Sequence, residues 1–346
     1  MSLRARSLRL IWMALFAVTP VFAEQALLRP VAGDQFQIHQ DIVCSGTYSL
    51  SGFASGRFHQ EVGIDFAATV HDSPEPPGSW RANYRFDRFR ILSRIEGATE
   101  TYVEIEPGRL VIDGTTVYDR NLRPDESVPI LCHLLLEDLS ATFSARGEVL
   151  RFEERKSMRN NFPFLELTQA LRETWIELPE RPLAPGLQWR EDRPARILSD
   201  RIVVPASQTY SVQAVPEGDD QPAVLAFERA IDSRRPRRFP IPIGSSTPLS
   251  LRYNAIGPDL LAPPQELLIL SLSISSKGNL EYRRDWKYMS HKETRDWIGV
   301  TMEVPRPDGT EVLTKKLLFD RVIRTTVERR TGSELSEEAR GILFGE

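Results

Sequence analysis

Cysteine is nearly absent from this sequence, and the gap removes several kinds of chemistry at once. Only Cys44 and Cys132 are present, too far apart for a redox-active CxxC pair or a cysteine-built zinc ribbon. Histidine is also sparse. His39, His59, His71, His133 and His291 include no His-x-His or His-Glu-x-x-His spacing, so no compact metal site is written into the chain. No Gly-x-Ser-x-Gly elbow occurs, which leaves an α/β-hydrolase without its nucleophile. Neither a Walker loop nor a dinucleotide fingerprint appears. Long apolar runs are missing too. Leu260 to Ser275 comes nearest, but Pro263, Pro264 and Glu266 interrupt it, and a spanning helix needs about 20 apolar residues. The sequence therefore points to a protein that is not an enzyme and carries no cofactor.

What is present begins with the leader. Arg4, Arg6 and Arg9 precede an apolar run from Leu10 to Val18, and Val21 and Ala23 supply small residues just before Glu24. A basic start, a short apolar core and small residues at the cut make a secretory signal, expected to be residues 1–23. The run is too short for an ordinary span, and no cysteine stands at the cut to carry a lipid. The expected location is the periplasm or the exterior, with an uncleaved anchor helix as the alternative. Losing the leader's three arginines leaves 41 basic against 48 acidic residues. Such a chain is a poor general binder of nucleic acid, whose affinity comes chiefly from phosphate neutralisation.

In an oxidising compartment an even pair of cysteines predicts one disulfide, Cys44 to Cys132, with two buried thiols as the alternative. A loop of that length would contribute about 4–5 kcal/mol before strain.

Alternation dominates the rest. Trp80, Ala82, Tyr84 and Phe86 share one face, then Phe89 and Ile91 continue it one residue out of phase. That slip predicts a β-bulge near Asp87-Arg88. Thr101, Val103 and Ile105 continue the style. Asp113-Gly114 between Arg109–Ile112 and Thr115–Tyr118 predicts a tight hairpin. Asp308-Gly309, with Pro305 and Pro307, predicts a longer loop ahead of a strand from Leu317 to Val327. Short helices are expected at 163–175, 128–136 and 336–344.

Residues 139–149 resemble residues 270–280: each reads as strand, basic-Gly turn, strand, with Arg146-Gly147 and Lys277-Gly278 at the turns. Two related β units or a coincidence of hairpin chemistry would both produce this. Pro179, Pro182, Pro185, Gly186 and Pro194 mark a crossing between units. The expected fold is mostly β (α+β), with two antiparallel curved-sheet units and a few short helices. The expected division is signal 1–23, a first β-rich unit 24–190 and a second 191–346.

Leu178-Pro179-Glu180-Arg181-Pro182 through Pro185-Gly186-Leu187-Gln188-Trp189 is similar to a segment of uncharacterised bacterial envelope proteins. Those are likened to the periplasmic lipoprotein-carrier (LolA/LolB-like) fold. The resemblance covers residues 139–190. It implies a curved antiparallel sheet enclosing an acyl chain, and it carries over no functional residue.

Three constellations combine residue types that could carry chemistry. Glu104 and Glu106 share a strand face with Tyr102, as paired carboxylates of glycosidases do, but a solvated face explains them. Arg234, Arg235, Arg237 and Arg238 form the densest basic cluster, a candidate contact for an anionic ligand. Trp80, Tyr84, Phe86 and Phe89 read as a core face. The leading expectation is an exported envelope protein holding a lipid or other apolar ligand in a curved sheet. Its partners would be that lipid or an envelope protein. A structural or protein-interaction module without a small ligand is the alternative, and a glycan-active enzyme the third.

Overall fold

A computed structural model describes residues 27–51, 54–73, 76–129, 132, 135, 139–153, 171–172, 174–197, 202–234, 236–240, 266–305 and 312–330. The leader and the helix expected at 336–344 lie outside these residues, as does Asp308-Gly309. The expected helices at 128–136 and 163–175 lie partly outside them.

Among the described residues, fifteen strands form a single antiparallel sheet. Three long strands open it: β1 (Gln35–Leu50), β2 (Ala54–Asp72) and β3 (Trp80–Ile95). Short ones follow: β4 (Thr101–Glu106), β5 (Arg109–Ile112), β6 (Thr115–Asp119), β7 (Leu139–Phe143) and β8 (Val149–Glu153). Then come β9 (Gln188–Ile197), β10 (Ile202–Ala214), β11 (Ala223–Ser233) and β12 (Arg237–Pro240). Three more long strands close the chain: β13 (Glu266–Arg283), β14 (Tyr288–Pro305) and β15 (Val312–Arg330). The order across the sheet is β6-β5-β4-β3-β2-β1-β15-β14-β13-β11-β10-β9.

Two expectations need correction here. The two halves are not separate sheets, because β1 pairs with β15 along its whole length, Gln35 opposite Arg330 through Leu50 opposite Lys315. The first and last strands thus meet in the middle of one sheet. Nor is there a helix among the described residues. Helical backbone is confined to Cys132, Leu135, Leu171 and Arg172, since alternating strands of up to 19 residues already place the apolar side chains on one face. No helix of the described residues is long and apolar enough to cross a membrane.

Local expectations hold where turn chemistry is explicit. Asp113 and Gly114 have φ of 49° and 77°, the paired positive values of a tight hairpin turn. Asp113 Oδ1 also accepts the Tyr102 N–H at 2.7 Å. The bulge falls at Asp87: Asp65 opposes Arg88 while Phe66 opposes Phe86, so Asp87 has no opposite residue on β2. It lets β3 serve two neighbours on one edge, β7 along Trp80–Tyr84 and β4 along Phe89–Ser93. The repeat fails in its second copy. Gly147 sits in a turn at φ +90°, but Lys277-Gly278 lies mid-strand in β13. A Cβ on Gly278 would stand 2.1 Å from the Glu293 carbonyl and 2.6 Å from the Phe227 ring. Gly278 therefore provides space, not a turn.

The sheet is strongly curled at one end. Trp80 of β3 and Tyr288 of β14 have three strands between them, about 19 Å on a flat sheet at ~4.8 Å per strand. Their ring centroids are 6.2 Å apart. Phe36 stacks on Tyr288 at 4.6 Å and Trp80 on Phe143 at 4.4 Å, filling the curl with aromatic rings. Backbone bonds from Leu28 N–H to the Ala145 carbonyl and from Leu178 N–H to the Arg146 carbonyl, both 2.8 Å, tie two further segments to the same cluster.

Candidate functional site

Opposed residues of paired strands share a face, so the registers define rows running across the sheet. One row of the concave face is polar on nine of ten consecutive strands, with Cys44 in the remaining place. It starts at Glu191 on β9 and passes through Gln208, Arg229 and Ser276. It continues through Asp296 on β14 and Arg321 on β15. From there it runs through Cys44, Gln60, Ser93 and Thr101.

This row separates two apolar surfaces. On one side lies the aromatic core of the curl, with Phe66, Tyr84, Phe86, Trp80 and Phe143 all buried. On the other lies a second cluster of Val204, Ile231, Ile269, Leu272, Ile274, Ile298, Met302 and Leu317. Its buried members are all aliphatic or methionine, with Tyr48, Phe58 and Phe319 packed at its margin.

The row is anchored at its centre. The Asp296 side chain has no solvent exposure. It accepts bonds from Arg321 Nε at 2.7 Å and Nη2 at 2.5 Å, and Arg229 Nη2 lies 3.8 Å away. Arg229 Nε also donates to Ser276 Oγ at 3.3 Å. At the β9 end, burial pushes the Glu191 carboxyl up to about 7. Beyond the aliphatic cluster, burial pulls the Lys315 ammonium down to about 7, and its Nζ lies 5.9 Å from the Tyr48 ring centroid.

The expected disulfide is absent: no bond joins Cys44 and Cys132. Cys44 belongs to the polar row on β1, whereas Cys132 is buried in the aromatic cluster with Sγ 3.6 Å from the Arg109 carbonyl. Burial pushes the Cys132 thiol up to about 11, away from reactivity.

The basic cluster straddles the step from β11 to β12. Arg234 is 87 % exposed and lies 3.8 Å from Asp232. Arg237 and Arg238 are strand residues opposite Ile269 and Leu268, and Arg235 lies outside the described residues. Glu104 accepts from the Tyr102 hydroxyl at 3.1 Å on the convex face, beside Arg88 and Arg90.

The convex face also holds an arrangement that residue spacing did not reveal. Ser45 Oγ lies 2.8 Å from His59 Nδ1, and His59 Nε2 lies 2.9 Å from Glu61 Oε1. Hydroxyl, imidazole and carboxylate are in the order a hydrolase uses. Their strands are paired on both edges, so the surrounding backbone N–H groups are committed to the ladder. No group of three or more potential metal ligands occurs among the described residues.

Neither a family model nor a curated protein matches the sequence. Among solved structures, lipovitellin, in a study of its lipid–protein interactions, aligns over 87 % of this chain at 6 % identity with a TM-score of 0.45. This chain spans 25 % of that protein's length. DynF, from the dynemicin biosynthesis pathway of Micromonospora chersina, aligns over 88 % of this chain and 86 % of its own at 7 % identity, TM-score 0.24. An outer membrane channel from Pseudomonas putida F1 aligns over 87 % and 97 % at 10 % identity, TM-score 0.22. These likenesses are weak, and they do not show the lipoprotein-carrier resemblance expected for residues 139–190.

Proposed function

We propose that this is an exported, non-enzymatic envelope protein that holds a lipid or other apolar ligand against the concave face of its sheet. The observation that carries the reading is the second, aliphatic cluster. A protein needing only a core has one in the aromatic curl, where Phe66, Phe86 and Tyr84 are at most 1 % exposed. The aliphatic cluster is a second buried apolar surface on the same face, six of its members keeping 5–9 % exposure against at most 1 % for those three rings. Aliphatic and methionine side chains adapt to a flexible acyl chain better than stacked rings do. The polar row along one border gives an amphiphile's polar end a place to lie. Export rests on the leader at residues 1–23.

The test is mass spectrometry of organic extracts from protein purified out of the envelope, paired with binding of a fluorescent fatty acid. A lipid at stoichiometric level, lost from an Ile298→Gln/Leu272→Gln variant that still folds, supports the reading. Protein that carries no lipid and binds no acyl probe overturns it.

A further inference from the structure

The convex face of β14 and β15 carries two large exposed apolar side chains, Trp297 at 47 % and Leu318 at 48 %. They are neighbours: Leu318 lies opposite Gly299, and both Leu318 and the Trp297 ring reach within 3.4 Å of where a Gly299 Cβ would stand. The charges around them have a symmetry. On β15, Lys316 and Asp320 flank Leu318 two residues to either side. On β14, Glu303 and Arg295 flank Gly299 four residues to either side. Lys316, Asp320 and Glu303 form no ion pair among the described residues, and Arg295 bonds Glu293 at 2.9 Å. Lys277 lies opposite Arg295 on β13.

We propose that this face is the interface of a symmetric dimer, its occupant a second copy of this chain. A two-fold axis between the sheets, running across the strands through the Gly299–Leu318 row, exchanges positions equidistant from that row. It sets Leu318 on the partner's Leu318. The same operation lays Lys316 over the partner's Asp320 and Arg295 over the partner's Glu303. All four charge contacts of the isologous pair are then attractive. Sheets stacked face to face lie about 10 Å apart with strands within about 30° of one another, the spacing at which side chains of two such faces meet. A parallel arrangement about an axis along the strands would instead set Lys316 on Lys316 and Asp320 on Asp320. The charge pattern selects the first axis. This inference is independent of any ligand on the concave face.

Sedimentation velocity on the purified full chain, over a micromolar concentration series, tests it. The wild type is expected to be a reversible dimer. Leu318→Asp, which places two carboxylates on the axis, should raise the dissociation constant roughly 100-fold or more, because each copy loses a central contact. Lys316→Glu and Asp320→Lys should each weaken the dimer, and the double variant should restore it by swapping the charges. A wild type that stays monomeric overturns the proposal. So does a dimer indifferent to Leu318→Asp, or a double variant no better than its parents. All three positions are exposed, so circular dichroism should be unchanged; if Leu318→Asp misfolds, the charge-swap series decides.

Discussion

Asp296 is the position at which the polar row can be broken most cleanly. Its carboxylate is fully enclosed, bonded twice by Arg321 and approached by Arg229. Asp296→Asn keeps the shape and removes the charge, leaving two guanidinium groups facing one another. Breaking a buried ion pair costs about 3–5 kcal/mol. The Arg229 and Arg321 side chains keep 17 % and 21 % exposure, so water screens part of that repulsion and the low end, about 3 kcal/mol, is expected. For a chain of 346 residues the unfolding entropy near the midpoint is about 0.7 kcal/mol/K. The loss then appears as a fall in Tm of about 4 °C. Urea unfolding with a calorimetric melt measures both. The companion variant, Asp296→Leu with Arg321→Met, removes the pair and should recover stability to within about 1 kcal/mol of wild type. The reasoning fails if Asp296→Asn costs under about 1 kcal/mol, or if the apolar pair is as damaging as the single change.

Two further predictions separate space from conformation and fix a pH dependence. Gly278→Ala should destabilise by about 3 kcal/mol, since its Cβ would meet a backbone carbonyl that moves only with the strand. Gly114→Ala, in open space at positive φ, should cost only about 1 kcal/mol. The reverse ranking in urea unfolding would discredit the mid-strand role of Gly278. Glu191 is an acid whose folded pKa, about 7, lies above its ordinary value of 4.5. The folded state therefore holds the proton more tightly, and stability is lost as pH rises from about 4.5 to about 7, then levels off. The full span corresponds to at most about 3 kcal/mol, less after solvent screening. Glu191→Gln should match wild type near pH 4.5 and exceed it above pH 7. A constant difference across that window would rule out Glu191 as the titrating group.

How much of the fold was legible depended on how local its cause was. Asp113-Gly114 declares a turn because both residues tolerate positive φ between β-branched runs. The slip at Asp87 declares a bulge because a strand cannot change phase without an extra residue. Both causes lie within a few positions. The union of β1 with β15 has no local cause, because the two strands are joined only by register across nearly the whole chain. Gly278 misled for a related reason. A basic-Gly dipeptide at a turn and one beneath a cross-strand phenylalanine look identical until Phe227 is known to lie opposite.

The polar row was hidden in the same way, although each strand contains its piece. Along β1 the concave positions read Ile42, Cys44, Gly46, and along β13 they read Ile274, Ser276, Gly278. On β14 they read Thr294, Asp296, Ile298, and on β15 Phe319, Arg321, Ile323. In any single strand a polar residue or two on an apolar face passes for noise. Only when the registers are aligned does a run of them fall at one height from β9 to β4. The same alignment explains why Cys44 and Cys132 do not meet. An even cysteine count is an argument about compartment, but a bond needs two Cα atoms within about 7 Å. Cys44 is held in the row by pairing to Arg321 and Gln60, while Cys132 packs in the aromatic curl. The pattern that separates two apolar surfaces on one sheet also keeps the two thiols apart, and neither consequence could be read until the strands were set side by side.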